Sequence, residues 1–418
     1  MTQEIAPTKS PLGLADGATD LPEGVGGFAD EPFRPIAGAF SKLFKGRPGS
    51  GGALAVYYNG QPVLDIWAGD ADEGVPWQHN TAGIIFSATK GMVAAVIHRL
   101  ADRGLVDYDT PIAEYWPAFA AGGKARVTVR QALVHEAGLS RLARITNNPE
   151  LVKDHLAMEE ILAAASMDKY AGKPAYHAVT FGWILSGLAR AITGKGMRQL
   201  LQEELVEPLA LDSLHLGRPP EGSGSHAAAL SGMGIYNHPK ALRALGRLPG
   251  LKAFFDTVFC GPGMEQILMG GVNAPLLDME MPAGSGTATA RSLAKVYAAL
   301  GSDGSVDGRR LLKEQTAYSL AEGRRLTQRS NYRVDRTFMM PLMWNLGYHT
   351  FMAPTMTSGF GHVGMNGSIG WTDPNRGLAA AYVHNRMMAP ASVPAGFMRL
   401  WPKIARTVDK ARRGSLPY

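Results

Sequence analysis

Two runs of strand-forming residues, Ala53–Tyr58 and Pro62–Trp67, are separated by Asn59-Gly60. Asn-Gly tolerates the positive φ angles that a two-residue hairpin turn demands, so the segment predicts an antiparallel hairpin near the start of the chain. A chain that opens this way is not built on a βαβ unit. Clear strand-like runs recur at the far end: Gly347–Phe351, Phe360–Val363, Ser368–Thr372 and Leu378–His384, with Asp373-Pro374-Asn375 turning between the last two.

The middle of the chain reads differently. Pro35–Phe44 is a short amphipathic helix, and Ser87–Arg103 carries Met92, Val93, Val96, Ile97 and Leu100 at helical spacing before Gly104 stops it. Val129–Val134, Pro149–Ala164, Val179–Thr193, Thr287–Leu300 and Pro394–Arg412 also read as helices. Residues 219–284 are loop-rich, with Gly, Pro and Met among apolar residues, a composition that suits a lid, a pocket wall or a loose insertion. Residues 1–32 lack periodicity and read as an N-terminal arm. Strands from both ends around a helical middle imply an α/β fold of the α+β type. Residues 33–108 and 285–418 would share one central antiparallel sheet flanked by helices, and residues 109–284 would form a second, mainly helical lobe.

The chain has 418 residues, a formal charge of +6 and 19% charged residues. The basic excess is diluted. Its local clusters, Arg309–Arg310, Arg324–Arg325 and Lys403–Arg413, sit beside helix-like residues and read as solvated helix faces. Aromatics are not interleaved with a basic stripe, so no nucleic-acid partner is expected. Cys260 is the single cysteine, which excludes an internal disulfide and a multi-cysteine zinc site. Met1–Asp20 holds no apolar run of the signal-peptide kind, and no stretch of about 18 apolar residues suggests a membrane span. A cytoplasmic location is the expectation; the oligomeric state is not legible.

Chemistry is suggested first by S-x-x-K, which occurs at Ser87/Lys90, Ser166/Lys169 and Ser292/Lys295. Serine and lysine at i and i+3 of a helix share a face, and a buried amine is a competent base toward a hydroxyl. Context separates the three. Ser166 falls at the polar end of a helix and Ser292 well inside one. Ser87 follows the apolar run Gly83–Phe86 at a strand-to-helix junction, where free backbone N–H groups are available. A plain N-cap serine remains the alternative at this level.

The wider sequence narrows the choice. Phe86–Gly91 (FSATKG), Leu100–Ile112 (LADRGLVDYDTPI) and Val127–Leu139 (VTVRQALVHEAGL) occur in an order that resembles the serine β-lactamase superfamily, in particular the class C-like group that includes the family VIII carboxylesterases. The resemblance spans residues 33–405. It implies a β-lactamase/DD-peptidase-like fold, Ser87 as nucleophile and Lys90 as its base. It also implies Tyr176, in Pro174–Ala178 (PAYHA), as the motif tyrosine, its phenol lowered by a neighbouring ammonium. The third motif would be His362-Val363-Gly364, with His362 and Gly364 against the substrate. The backbone N–H groups of Ser87 and Met365 would form the oxyanion hole.

Two positions depart from the β-lactamase pattern. Ala178 stands where an amide-bearing Asn is usual, and His362 where a fixed positive charge is usual. Both remove groups suited to β-lactams and peptide tails, so the implied activity is a carboxylesterase acting on small to medium acyl esters without a cofactor or metal. An acyltransferase, or a weak β-lactamase or DD-peptidase-type amidase, is the alternative on the same site; a non-catalytic binding or scaffold protein is the alternative of another class. There is no G-x-S-x-G for an α/β-hydrolase. Gly359–Gly364 fits G-x-G-x-x-G but precedes a strand rather than a helix, which argues against dinucleotide binding. His135 reads as structural, and the eleven histidines show no paired ligand spacing.

Overall fold

The computed structural model describes residues 21–248, 251–327, 333–351, 353, 355–387 and 395–414. Its centre is a ten-stranded sheet. The main run, in spatial order, is Val25–Ala29, Gln61–Asp72, Gly51–Tyr58, Leu378–His384, Ile369–Asp373, Phe360–Val363, Tyr348–Thr350, Met340–Asn345 and Arg333–Asp335, all antiparallel. The predicted hairpin is present, with Tyr58 paired to Gln61 across Asn59-Gly60. The first and last thirds of the chain meet where Gly51–Tyr58 pairs with Leu378–His384.

These two central strands explain why both read as nearly continuous apolar runs. Side chains alternate between faces along a strand. Leu54, Val56 and Tyr58, with Leu378, Ala380 and Tyr382, enter one core; Ala53, Ala55 and Tyr57, with Ala379, Ala381 and Val383, enter the other. Both faces are therefore covered. The helix Arg34–Ser41 and the C-terminal helix Ala395–Gly414 close the first face. Phe397, Leu400, Trp401, Ile404, Ala405 and Val408 recur at helical spacing there and are all buried. Burying each such large side chain contributes about 1.5–3 kcal/mol.

The helix Thr89–Asp102 runs under the second face, between the sheet and the helical lobe. That position explains its composition: eleven of its residues from Thr89 to Leu100 are buried, so it is apolar all round rather than striped. Beyond it, Thr180–Thr193 is a well-packed helix ended by Gly194 in the left-handed conformation.

Several expectations need correction. Within the N-terminal arm, Val25–Ala29 forms an edge strand on Leu64–Ala68, while residues 1–20 lie outside the described residues. Thr287 belongs to a short strand, Gly286–Ala288, and the helix starts at Ala290 because the Thr289 side chain caps it. The helix expected from Pro149 begins at His155, capped by Asp154. Residues 219–284 carry two short helices, Pro239–Leu245 and Lys252–Val258. The hairpin Arg333–Asp335/Met340–Asn345 was not expected; Pro341 argues against a strand, but this is the rim of the sheet, where proline is tolerated. A second, four-stranded sheet joins Thr81–Ile84 to Gly286–Ala288, Leu214–Leu216 and His226–Ala227. It fixes the strand that leads into Ser87. The side chains of Arg324 and Arg325 and the residue Pro394 lie outside the described residues.

Candidate active site

The strand Thr81–Ile84 ends at a sharp turn. Phe86 has φ +43°, a region that a bulky aromatic adopts only under constraint. A single 3-10 turn, Phe86–Ala88, then leads into the helix Thr89–Asp102. The turn lifts Ser87 out of the core: from Thr81 to His98 it is the one residue that is not buried.

Lys90 follows one turn later and is completely buried. Its Nζ lies 3.0 Å from Ser87 Oγ and donates to the Ala283 carbonyl at 2.8 Å. No ion pair to Lys90 occurs among the described residues. Gly182 makes the Ala283 contact possible, because a Cβ there would lie 2.3 Å from the Ala283 backbone nitrogen. Burial pushes the Lys90 amine well below its ordinary range, so the neutral form is favoured.

Tyr176 stands on the other side of Ser87. Its phenol is close enough to Ser87 for the serine side chain to favour the phenolate, and its ring centroid is 5.1 Å from Lys90 Nζ. Burial raises its pKa, outweighing the Ser87 contact that lowers it. The expectation of a phenol already lowered by a neighbouring ammonium is therefore corrected for the free protein. Burial shifts both groups toward their neutral forms.

The opposite wall is the end of the strand Phe360–Val363. Gly364 crosses so close to the nucleophile turn that a Cβ would lie 2.3 Å from the Ile85 carbonyl oxygen. Asn366, fully buried, ties the two together by donating to the Ile84 and His384 carbonyls at 3.3 and 2.8 Å. Next to it, the backbone N–H of Met365 meets no protein acceptor among the described residues, and neither does that of Ser87. Two unspent donors thus lie on the nucleophile turn and just beyond the Gly364 backbone that packs against it. His362 is buried on this strand, its Nδ1 3.1 Å from the Val363 carbonyl. Burial holds it neutral, so it supplies no fixed charge. Ala178 is buried and offers no amide.

Sequence reasoning missed much of the support. His135, read as structural and remote from chemistry, packs its ring 5.0 Å from Tyr176 and 4.2 Å from Trp344. It does act on structure, at the site itself: its carbonyl accepts from Ala175 N–H, and its Nδ1 accepts from His177 N–H at 3.2 Å. Those bonds fix the segment that carries Tyr176. His177 in turn accepts from Leu139 N–H, and Trp344 stacks on Tyr176 at 5.3 Å. His135, His177, His349 and His362 thus gather around the site, although no group of three or more His, Cys, Asp or Glu among the described residues is arranged to hold a metal. The other two serine–lysine pairs do not form. Ser292 Oγ donates to Asp212 and Lys295 pairs with Asp307, while Ser166 and Lys169 are exposed. A separate cavity of 480 Å³, lined in part by Tyr57, Asp303 and Tyr318, contains none of the residues around Ser87.

The buried imidazoles predict acid lability. Burial holds His98 and His177 down to about 4, and His349 and His384 down to about 3. The unfolded chain protonates them near 6.5, so it binds more protons than the fold below that pH. Their contribution is full above pH 6.5 and lost as pH falls toward 4, at up to about 1.4 kcal/mol per group per pH unit. Chemical denaturation at pH 7.5, 6 and 5 is expected to show a steep stepwise fall in stability; a flat profile would show that these rings are hydrated.

The sequence comparisons agree with this geometry. The Beta-lactamase family model matches residues 40–401. A relative, the Esterase/beta-lactamase LipL of Mycobacterium tuberculosis (strain ATCC 25618 / H37Rv), is 48% identical over 393 residues, covering 93% of this chain and 89% of the relative. A solved family VIII carboxylesterase superposes with a TM-score of 0.76 at 28% identity, covering 92% of this chain and 99% of its own. A penicillin-binding protein homolog from Caulobacter crescentus does so with a TM-score of 0.73 at 29% identity, covering 94% and 100%. The fold shared by both chain ends, the accessible Ser87 beside the buried Lys90 and these matches converge: the chain belongs to the beta-lactamase family, on the branch related to the family VIII carboxylesterases.

Proposed function

We propose that the protein is a serine carboxylesterase that hydrolyses small to medium acyl esters through an acyl-enzyme on Ser87. The observation that carries this reading is the buried Lys90 amine, without an ion pair among the described residues, 3.0 Å from the one accessible residue of its segment. A neutral amine there takes the Ser87 proton as Oγ attacks the ester carbon. The charge that develops on the carbonyl oxygen falls to the N–H groups of Ser87 and Met365. Tyr176 hands its phenolic proton to the departing alcohol. Lys90 is then an ammonium and Tyr176 a phenolate. Only in this state does the cation stabilise the phenolate. Water gives its proton to Tyr176 as it attacks the acyl carbon, and Lys90 returns its proton to Ser87. Every proton is restored without a cofactor.

The neutral His362 and the missing amide at Ala178 favour esters over β-lactams. The name of the mycobacterial relative joins both activities, which keeps weak β-lactam hydrolysis as the second reading; acyl transfer to an alcohol would use the same acyl-enzyme. A small-molecule ester partner follows, with no nucleic acid. We also read the protein as cytoplasmic; no helix among the described residues is long and apolar enough to cross a membrane. Turnover of p-nitrophenyl acetate and butyrate against nitrocefin tests the assignment. The esters are expected to show kcat/KM higher by about 100-fold or more, the discrimination available when buried polar recognition groups are missing. Equal or reversed values would make the protein a lactamase, and no turnover of either would leave a binding protein.

A further inference from the structure

The turn 335–339 is braced in a way the catalytic steps above do not use. Asp335 is buried, and its Oδ1 accepts the N–H groups of Thr337 and Phe338 at 2.8 and 3.0 Å. Its Oδ2 accepts the Trp344 indole N–H at 3.0 Å. Arg336 N–H donates to the Pro174 carbonyl at 2.9 Å, and Thr337 Oγ1 to the Tyr176 carbonyl at 3.4 Å. The turn is thus fastened to the tyrosine segment on both sides of Ala175. This bracing holds Phe338 in place although its side chain is 38% exposed. The Phe338 ring lies 5.2 Å from Tyr176 and 5.9 Å from Phe254, on the helix Lys252–Val258. An aromatic path therefore leads from the surface to the hydroxyl beside Ser87.

The direction of this path decides what would lie on it. If Tyr176 protonates the leaving oxygen, that oxygen sits within about 2.6–3.2 Å of the phenol. The carbonyl oxygen is drawn the other way, toward Ser87 and Met365. Atoms bonded to the leaving oxygen then pass along the Tyr176 ring toward Phe338. Resting on the esterase reading, we propose that Phe338 and Phe254 form the alcohol subsite, so that the enzyme selects esters of bulky apolar alcohols. The acyl side is selected elsewhere.

The test holds the acyl group constant. Ethyl, butyl, hexyl and cyclohexylmethyl acetates have alcohols of similar acidity and share one acetyl-enzyme, so differences in kcat/KM report the alcohol subsite. For the wild type, kcat/KM is expected to rise along the series. In Phe338→Ala the ratio of the hexyl and cyclohexylmethyl values to the ethyl value is expected to fall about 10-fold or more. Phe254→Ala should give a smaller loss of the same pattern, and Phe338→Leu should restore most of the preference. Thermal unfolding of each variant checks the fold. A preference that survives both alanine substitutions would overturn the subsite. So would a Phe338→Ala effect that appears instead in ethyl acetate, butyrate and octanoate. No turnover of any ester would overturn the esterase reading and the subsite with it.

Discussion

Ser87→Ala is expected to lower kcat/KM for p-nitrophenyl acetate by about 10 000-fold or more, leaving only the catalysis that binding and oxyanion donors supply. The loss should fall in kcat rather than KM, because the hydroxyl forms its new bond only in the transition state. The fold should survive. Ser87 is not part of the core, and Lys90 keeps its bond to the Ala283 carbonyl. A fluorophosphonate probe should add once to the wild-type chain, at Ser87, and not to the variant. This readout separates the three serine–lysine pairs directly. Ser292 is bound to Asp212, and Ser166 and Lys169 both lie exposed. An adduct on any residue but Ser87, or undiminished turnover in the variant, would refute the assignment.

How much of this was legible beforehand follows from distance along the chain. Ser87 and Lys90 are three residues apart, and helical geometry alone puts them together. The hairpin at Asn59-Gly60 and the alternation in Leu378–His384 are equally local. Tyr176 and His362-Val363-Gly364 required the family resemblance, since nothing in their immediate sequence distinguishes them from core residues. The supporting groups were not legible by either route. Asn366 is bonded to the Ile84 carbonyl, 282 positions away, and Arg336 to Pro174. His135 looked inert because its role is to fix its neighbours through backbone-directed bonds, which leave no motif. A lowered Lys90 amine follows from burying the helix that carries it, which the sequence predicts; the raised Tyr176 phenol does not, because it arises from burial by groups distant along the chain. The strain at Phe86 is likewise a property of the turn between two elements rather than of either one.

Lys90→Met separates the chemical role of this residue from its structural cost. Loss of the base should lower kcat/KM by about 1000-fold, within the range for removing a general base. In the wild type kcat/KM should rise with pH as the amine sheds its proton and level off well below 10.5, because burial lowers the Lys90 pKa. The variant should lose that limb. Stability should move the other way. Burial lowers the Lys90 pKa in the folded protein, while the unfolded chain holds the proton up to about 10.5. Between the lowered folded value and 10.5 the unfolded state binds more protons, so wild-type stability rises with pH across that window, by up to about 1.4 kcal/mol per unit. Methionine has similar length and no proton to lose. Lys90→Met is therefore expected to be more stable than the wild type at pH 7, and the gap should close toward pH 10. All other ionisable groups are common to the two proteins and cancel in the difference. Parallel stability curves from pH 7 to 10 would mean that Lys90 stays charged in the fold. A charged amine cannot take the Ser87 proton, and the proposed acylation step would fall with that result.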